Sequence, residues 1–235
     1  MLDFFIFMLK SIARLQQKDE KMKDVKNRII VLMGGQGAGK GTHAKNLVEQ
    51  KGFRYIETGA ILRGLPPESP AKQIMARGEL VPDTELFKII GNAIETSGKS
   101  DMILDGFPRN REQAQWFVKK YVSLESPYEI HVLHLELPEK VMRERIANRI
   151  KEGGGRADDA DPAVVQKRLA EFKNKTLPAI EFLQNANGVH FYAVDVSQPD
   201  FTTNFLNVCK ALGIDSIDKS KIRVNVAELK LCNQR

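Results

Sequence analysis

Cysteine is nearly absent from this chain of 235 residues. The two present, Cys209 and Cys232, stand far from any CxxC spacing. That argues against a disulfide framework and against a thiolate zinc site, and it points to a reducing, cytoplasmic compartment. No run of about 18 apolar residues occurs, so no membrane span is indicated. Internal repeats and low-complexity tracts are missing too. What remains is 42% apolar sequence, enough for one globular domain with a real core.

The net charge of +6 raises the question of nucleic acid. Its distribution answers it. Residues 1–28 hold seven Lys/Arg against four Asp/Glu, and residues 213–235 hold five against three, leaving only +1 for the centre. The basic residues of residues 29–212 are therefore read singly, as phosphate ligands, and no nucleic-acid partner is expected.

Residues 1–28 read as an extension. Its apolar patch, Leu2 to Leu9, is short and has neither a basic flank nor a convincing cleavage site, so a signal peptide is disfavoured. Two readings stay open: an amphipathic helix docking on a surface, or translated sequence upstream of a start at Met22. The second is preferred, and membrane contact by this segment is disfavoured. Residues 213–235 form a tail in which Ile222 to Val226 alternate at period two, a weak edge-strand signal.

Between the extensions the pattern changes. Ile29-Ile30-Val31-Leu32-Met33 is a continuous, largely β-branched run, expected for a parallel strand buried on both faces. Further strands are expected at 53–56, 102–104, 131–137 and 190–194. Helical stretches are expected at 84–95, 111–121, 139–149 and 162–184. Alternating strand and helix predicts an α/β fold, a doubly wound parallel five-stranded sheet flanked by helices.

Gly34-Gly35-Gln36-Gly37-Ala38-Gly39-Lys40-Gly41-Thr42 lies between the first strand and its helix. It fits GxxxxGK, the P-loop, in the required context. Glycines permit backbone angles closed to other residues and bring N–H groups to phosphate oxygens. The helix start favours anions, and Lys40 reaches for the β/γ-phosphates. Met102-Ile103-Leu104-Asp105 is an apolar strand ending in a carboxylate, placed by a parallel sheet near the P-loop. Asp105 can hold Mg²⁺, through water, because Mg²⁺ sheds its hydration reluctantly.

The form Lys40-Gly41-Thr42, with Asp105-Gly106-Phe107-Pro108-Arg109 after it, resembles the adenylate kinase family from about Ile29 to Leu212. The resemblance implies a P-loop NTPase fold with a nucleoside monophosphate region near 58–85 and a lid near 150–160. It implies Mg-dependent transfer of the ATP γ-phosphoryl group to AMP by a monomer that binds ATP and AMP. It places the ATP contacts at Gly35, Gln36, Gly37, Ala38, Gly39, Lys40, Gly41 and Thr42, with Arg145 and Arg149 over the base and phosphates. On the acceptor side, Thr58-Gly59-Ala60-Ile61-Leu62-Arg63 is similar to the family's monophosphate grip. Thr58 and Gly59 then contact the nucleoside, and Arg63 and Arg109 the phosphate. Backbone at Val81 and Gly106 and the amide of Gln113 serve the acceptor side as well, Gln113 reading adenine. Arg149, Arg156 and Arg168 close over the transferring group. Only residues 150–155 separate Arg149 from Arg156, which resembles the short lid form without an inserted zinc subdomain, so no zinc is expected.

Some positions depart from the family pattern. Ala60 stands where the family usually has Asp, so weaker metal binding or slower turnover is expected. The stretch between Arg63 and Ala71 is shortened and rich in proline, which bears on the choice among monophosphates. Gln36 replaces a usual Pro, and Glu79 a position often basic. Two alternatives therefore stay open. One is a UMP/CMP or broad nucleoside monophosphate kinase, and the other a non-catalytic ATP-dependent switch on the same fold.

Overall fold

The computed structural model describes residues 26–76, 81–151 and 161–223. The N-terminal patch, Gly78 to Leu80, the residues around Arg156 and the tail beyond Arg223 lie outside the described residues.

Five parallel strands form one sheet: β1 (Asn27–Gly34), β2 (Arg54–Glu57), β3 (Met102–Asp105), β4 (Tyr128–Glu136) and β5 (Val189–Asp195). Their order is β2-β3-β1-β4-β5. Parallel neighbours need crossover connections, and these put helices on both faces. The apolar run of β1 follows from that burial. Ile29, Val31 and Met33 feed one core, with Ile90, Phe117 and Ile180. Ile30 and Leu32 feed the other, with Leu47, Phe205 and Val208. Alternate side chains point to opposite faces, so a strand covered twice has no polar face to show. The expected strands are present, and β4 begins three residues before the expected His131.

The helices that matter for the site are α1 (Lys40–Lys51), α2 (Thr58–Gly64), α3 (Pro70–Ala76), α4 (Asp83–Thr96), α5 (Arg111–Tyr121) and α6 (Glu139–Lys151). They are followed by α7 (Pro162–Glu171), α8 (Leu177–Gln184) and α9 (Phe201–Ala211). The helix expected over residues 162–184 is interrupted by a π turn, Phe172–Thr176. Its cause is Pro178, which has no N–H for the carbonyl four residues back and whose ring would strike it. The Leu177 N–H bonds Phe172 O instead, which widens the turn.

The order of strands reverses about β1, which leaves a crevice at the carboxyl ends of the central strands. Among the described residues no helix is long and apolar enough to cross a membrane. Cys209 is buried, and burial pushes its thiol up to about 11, so it is a packing residue. The tail does not add a strand within the described residues. Residues 215–223 instead run along α1, where Arg223 N–H donates to Asn46 Oδ1 (2.8 Å) and Asn46 Nδ2 donates to Arg223 O (2.8 Å).

Candidate active site

The loop between β1 and α1 turns through backbone that favours glycine. Gly34, Gly37 and Gly39 have φ of 141°, 84° and 76°. A Cβ at Gly34 would sit 2.8 Å from the Leu135 carbonyl oxygen of β4, so close strand packing also requires glycine there. Gly39 is the N-cap of α1, with no side-chain cap bond. The first turn's N–H groups therefore lack a side-chain cap, as an anion cradle requires. Lys40 Nζ donates to Gly34 O (2.8 Å) and Gly35 O (3.0 Å), which folds the ammonium back over its own loop. Gln36, Ala38, Gly41 and Thr42 complete the cradle, with Thr42 half-buried in the first turn of α1.

Asp105 ends β3 beside β1, in register with Leu32, and is 9% exposed. Tyr55 Oη donates to its Oδ2 at 2.9 Å. Tyr55 comes from β2, where Glu57 pairs in register with Asp105. Three carboxylate or hydroxyl groups thus gather at two adjacent strand ends. Sequence reasoning missed Tyr55 and Glu57, because only the β2–β3 register brings them to Asp105.

The acceptor residues also converge. Gly106 has φ 86°, and a Cβ there would meet Arg109 Nη2 at 3.3 Å and Thr58 Cβ at 3.5 Å. The turn therefore brings Thr58 and Arg109 together. The Phe107–Pro108 bond within it is cis. Arg109 is fixed at three points. Its Nε donates to Gly106 O (2.8 Å), its N–H to Gln113 Oε1 (2.7 Å), and its carbonyl accepts from Thr176 Oγ1 (3.1 Å). Arg63 lies one helix turn beyond Gly59. Its Nη2 meets Glu57 Oε1 at 3.0 Å while the side chain stays largely exposed. Thr58 is 3% exposed, and its hydroxyl has no hydrogen-bond partner. A buried hydroxyl left unpaired costs about 1–3 kcal/mol unless a ligand satisfies it.

Gln113 is 5% exposed, and both ends of its amide are engaged. Oε1 accepts from Arg109, and Nε2 donates to Asp83 Oδ1 at 2.7 Å. In this structure it links the Arg109 turn to the start of α4, and reading a base requires it to exchange a partner. Val81 lies half-buried two residues before Asp83.

On the donor side, α6 carries Arg145 and Arg149 one turn apart. Arg145 Nη2 donates to Val196 O (2.7 Å) and Gln198 O (3.2 Å), and Nη1 to Gly37 O (3.4 Å). One guanidinium therefore ties the loop after β5 to the P-loop. Arg149 and Arg168 are half-buried on α6 and α7. Arg156 lies outside the described residues. A cleft of about 540 Å³ opens between the end of β4 and these helices, with His134, Glu136, Met142 and Phe172 in its wall. His134 is held below its usual pKa, first by burial, with Glu136 opposing and Lys40 assisting. His43, under the rings of Phe201 and Phe205, is pushed down to about 3, mainly by burial.

Comparison with known proteins agrees with this fold. The family model described as "Adenylate kinase" matches residues 32–188. The chain belongs to the adenylate kinase family. A curated adenylate kinase of Synechococcus sp. (strain JA-2-3B'a(2-13)) is 38% identical over 170 residues, 68% of this chain and 87% of the relative. One of Xylella fastidiosa (strain 9a5c) is 39% identical over 161 residues, 66% and 84% of the two chains. One of Cyanothece sp. (strain PCC 7425 / ATCC 29141) is 35% identical over 177 residues, 73% and 88%. Membership makes this chain a phosphotransferase, and the matched span contains Asp105 and all the other predicted site residues.

Proposed function

We propose that this chain catalyses reversible transfer of the ATP γ-phosphoryl group to AMP, giving two ADP. The observation that carries the acceptor assignment is the buried, unpartnered Thr58 hydroxyl, set beside Arg109 by the Gly106 turn. A polar group left dry and unpaired beside a guanidinium suits a ligand with both a hydrogen-bonding nucleoside and a phosphate.

The P-loop N–H groups and Lys40 hold the ATP phosphates, and Arg145 covers the base where the Val196 and Gln198 carbonyls now hold it. Arg63 and Arg109 grip the AMP phosphate, each able to bond two oxygens at once. Arg149 and Arg168 take up charge on the group in flight. Arg156 is given that role by its motif alone. Residues 58–85 act as the acceptor region and 150–160 as a short lid. Phosphoryl transfer depends on alignment, charge neutralisation and exclusion of water, and a phosphate oxygen needs no general base to attack.

Enzymes of this family generally work with Mg²⁺. Asp105 fits it: a hard carboxylate oxygen at a strand end, with Oδ2 oriented by Tyr55, matches the oxygen preference of this ion. Held there, Mg²⁺ would supply neutralisation of phosphate charge.

A coupled assay of ADP formation with Mg-ATP and AMP, UMP, CMP or GMP in turn tests the reading. Rapid turnover with AMP alone is the expected result. Lys40→Met should lower it by orders of magnitude with circular dichroism unchanged. Preference for a pyrimidine monophosphate would shift the acceptor, and no turnover with any acceptor would overturn the enzymatic role of these residues.

A further inference from the structure

A second cluster lies away from the crevice, where β4 meets the edge strand β5. His131 and His190 are register partners across these strands, and their rings stack 4.8 Å apart. Glu129 stands two residues before His131, on the same face of β4. One ligand atom from each of the three lies within 4.8 Å of the others. The site is four residues, about 13 Å, before Leu135, which borders the P-loop at Gly34.

Three details separate this cluster from an ordinary solvated surface. First, His131 is 8% exposed, and its Nε2 is buried with no hydrogen-bond partner. Second, Glu129 Oε2 lies 3.6 Å from that nitrogen, too far for a hydrogen bond. Two ligand atoms each about 2.0–2.1 Å from a tetrahedral ion lie about 3.4 Å apart, so the gap is close to that of a metal-bridged pair. Third, Tyr192 Oη lies 3.3 Å from His131 Nδ1. A metal-binding histidine usually hydrogen-bonds through its other ring nitrogen, which fixes the tautomer and the ring plane. The cation opposite Glu129 is not a competitor: Arg28, its register partner on β1, is engaged by Asp101 through Nε (3.0 Å) and Nη2 (2.8 Å).

We propose that Glu129, His131 and His190 form a binding site for one borderline first-row divalent cation, with Zn²⁺ as the reference ion. Two imidazoles and one carboxylate suit Zn²⁺, Co²⁺ or Ni²⁺, and are a poor match for Mg²⁺ or Ca²⁺, which take oxygen cages. A water completes four-coordination on the exposed side. The site is distinct from any lid metal and from the ion of the phosphoryl transfer. Burial holds His131 below its usual pKa, with His190 and Arg28 assisting and Glu129 opposing, so the imidazole is neutral and ready as a ligand near pH 7. The bound ion clamps the edge strand to β4, so it stabilises the fold and leaves the chemistry of the crevice untouched.

The test uses the full chain, stripped with a chelator and then titrated with Zn²⁺ and with Co²⁺ in excess Mg²⁺. Uptake is read by calorimetry, by the visible absorption of tetrahedral Co²⁺, and by melting temperature. The native chain is expected to take one equivalent and to melt about 5 °C or more higher with saturating Zn²⁺. His190→Ala and Glu129→Gln alter exposed side chains and should keep the fold and the Mg-dependent kinase rate. Each should weaken uptake by at least about tenfold, and Tyr192→Phe by about tenfold through loss of the orienting hydroxyl. Absence of stoichiometric uptake by the native chain would overturn the proposal. So would unchanged affinity in both His190→Ala and Glu129→Gln, because the ion would then sit elsewhere.

Discussion

Thr58 shows how a single buried atom separates a binding role from a structural one. Its hydroxyl is dry and unpaired, so in the free protein it opposes stability. Thr58→Val keeps the shape and removes the penalty. The variant should melt at the same temperature or higher, while its KM for AMP rises about tenfold, as for loss of one good hydrogen bond. A lowered melting temperature with unchanged KM would assign Thr58 to packing. Glu57 makes the opposite case. Its carboxylate holds Arg63 at 3.0 Å, on the guanidinium proposed to grip the acceptor phosphate. An exposed pair of this kind is worth about 0–1 kcal/mol, so Glu57→Gln should hardly change stability. It should lower KM for AMP by up to about fivefold, read from initial rates at fixed Mg-ATP. A raised KM would mean that Glu57 supports the acceptor. The contrast also marks what the sequence discloses. Lys40 and Asp105 stand out as candidates because a P-loop and a strand-end carboxylate have local patterns, and Arg109 through the family resemblance. Tyr55 and Glu57 do not, because their meeting with Asp105 depends on the alignment of β2 on β3, which no local pattern encodes.

At the scale of elements, the strands and helices were legible wherever burial repeats with a period. The run in β1 announces a strand covered on both faces, and α5 starts at the expected Arg111. Pro178, inside the helix expected over residues 162–184, announces a break in the ladder but not its form, the π turn Phe172–Thr176. The path of the tail was also hidden, because it is set by a side chain on another element. Asn46 on α1 is 2% exposed, and its amide donates to Thr42 O and Arg223 O while accepting from Arg223 N–H. Gln50 repeats the pattern one turn on, exchanging bonds with the Asp218 backbone. The tail thus braces the helix that opens at the P-loop. Asn46→Ala removes two part-buried hydrogen bonds to the Arg223 backbone, together worth about 1–3 kcal/mol. A drop of roughly 2–10 °C in melting temperature should follow, with KM for ATP less affected than stability. Unchanged melting would mean that the tail detaches freely and contributes nothing to α1.

For the molecule as a whole, acid should act first through histidine. His43 packs between α1 and α9 with its ring against Phe201 at 4.7 Å and Phe205 at 6.0 Å, and its folded pKa is about 3 against an ordinary 6.5. The unfolded chain therefore binds a proton between those values that the folded protein refuses. Stability contributed by the neutral ring is complete above pH 6.5 and is lost as pH falls toward about 3, at up to about 1.4 kcal/mol per pH unit. His131 and His134 are also shifted down, burial being the largest cause for each, and they act in the same sense. Asp195 and Asp200 hold depressed values through hydrogen bonds to Ser197 and Thr203, so they act below the ordinary carboxylate pKa of 3.8. The two groups are thus separable by pH. Urea midpoints measured from pH 8 to pH 4.5 should hold level down to about pH 6.5 and then fall for the native chain. His43→Phe keeps an aromatic ring among aromatic neighbours and cannot take up a proton, so its midpoint should fall less steeply over the same range. Parallel curves for the two proteins would mean that His43 ionises freely in the fold, and that α1 and α9 are less tightly packed around it than the structure shows.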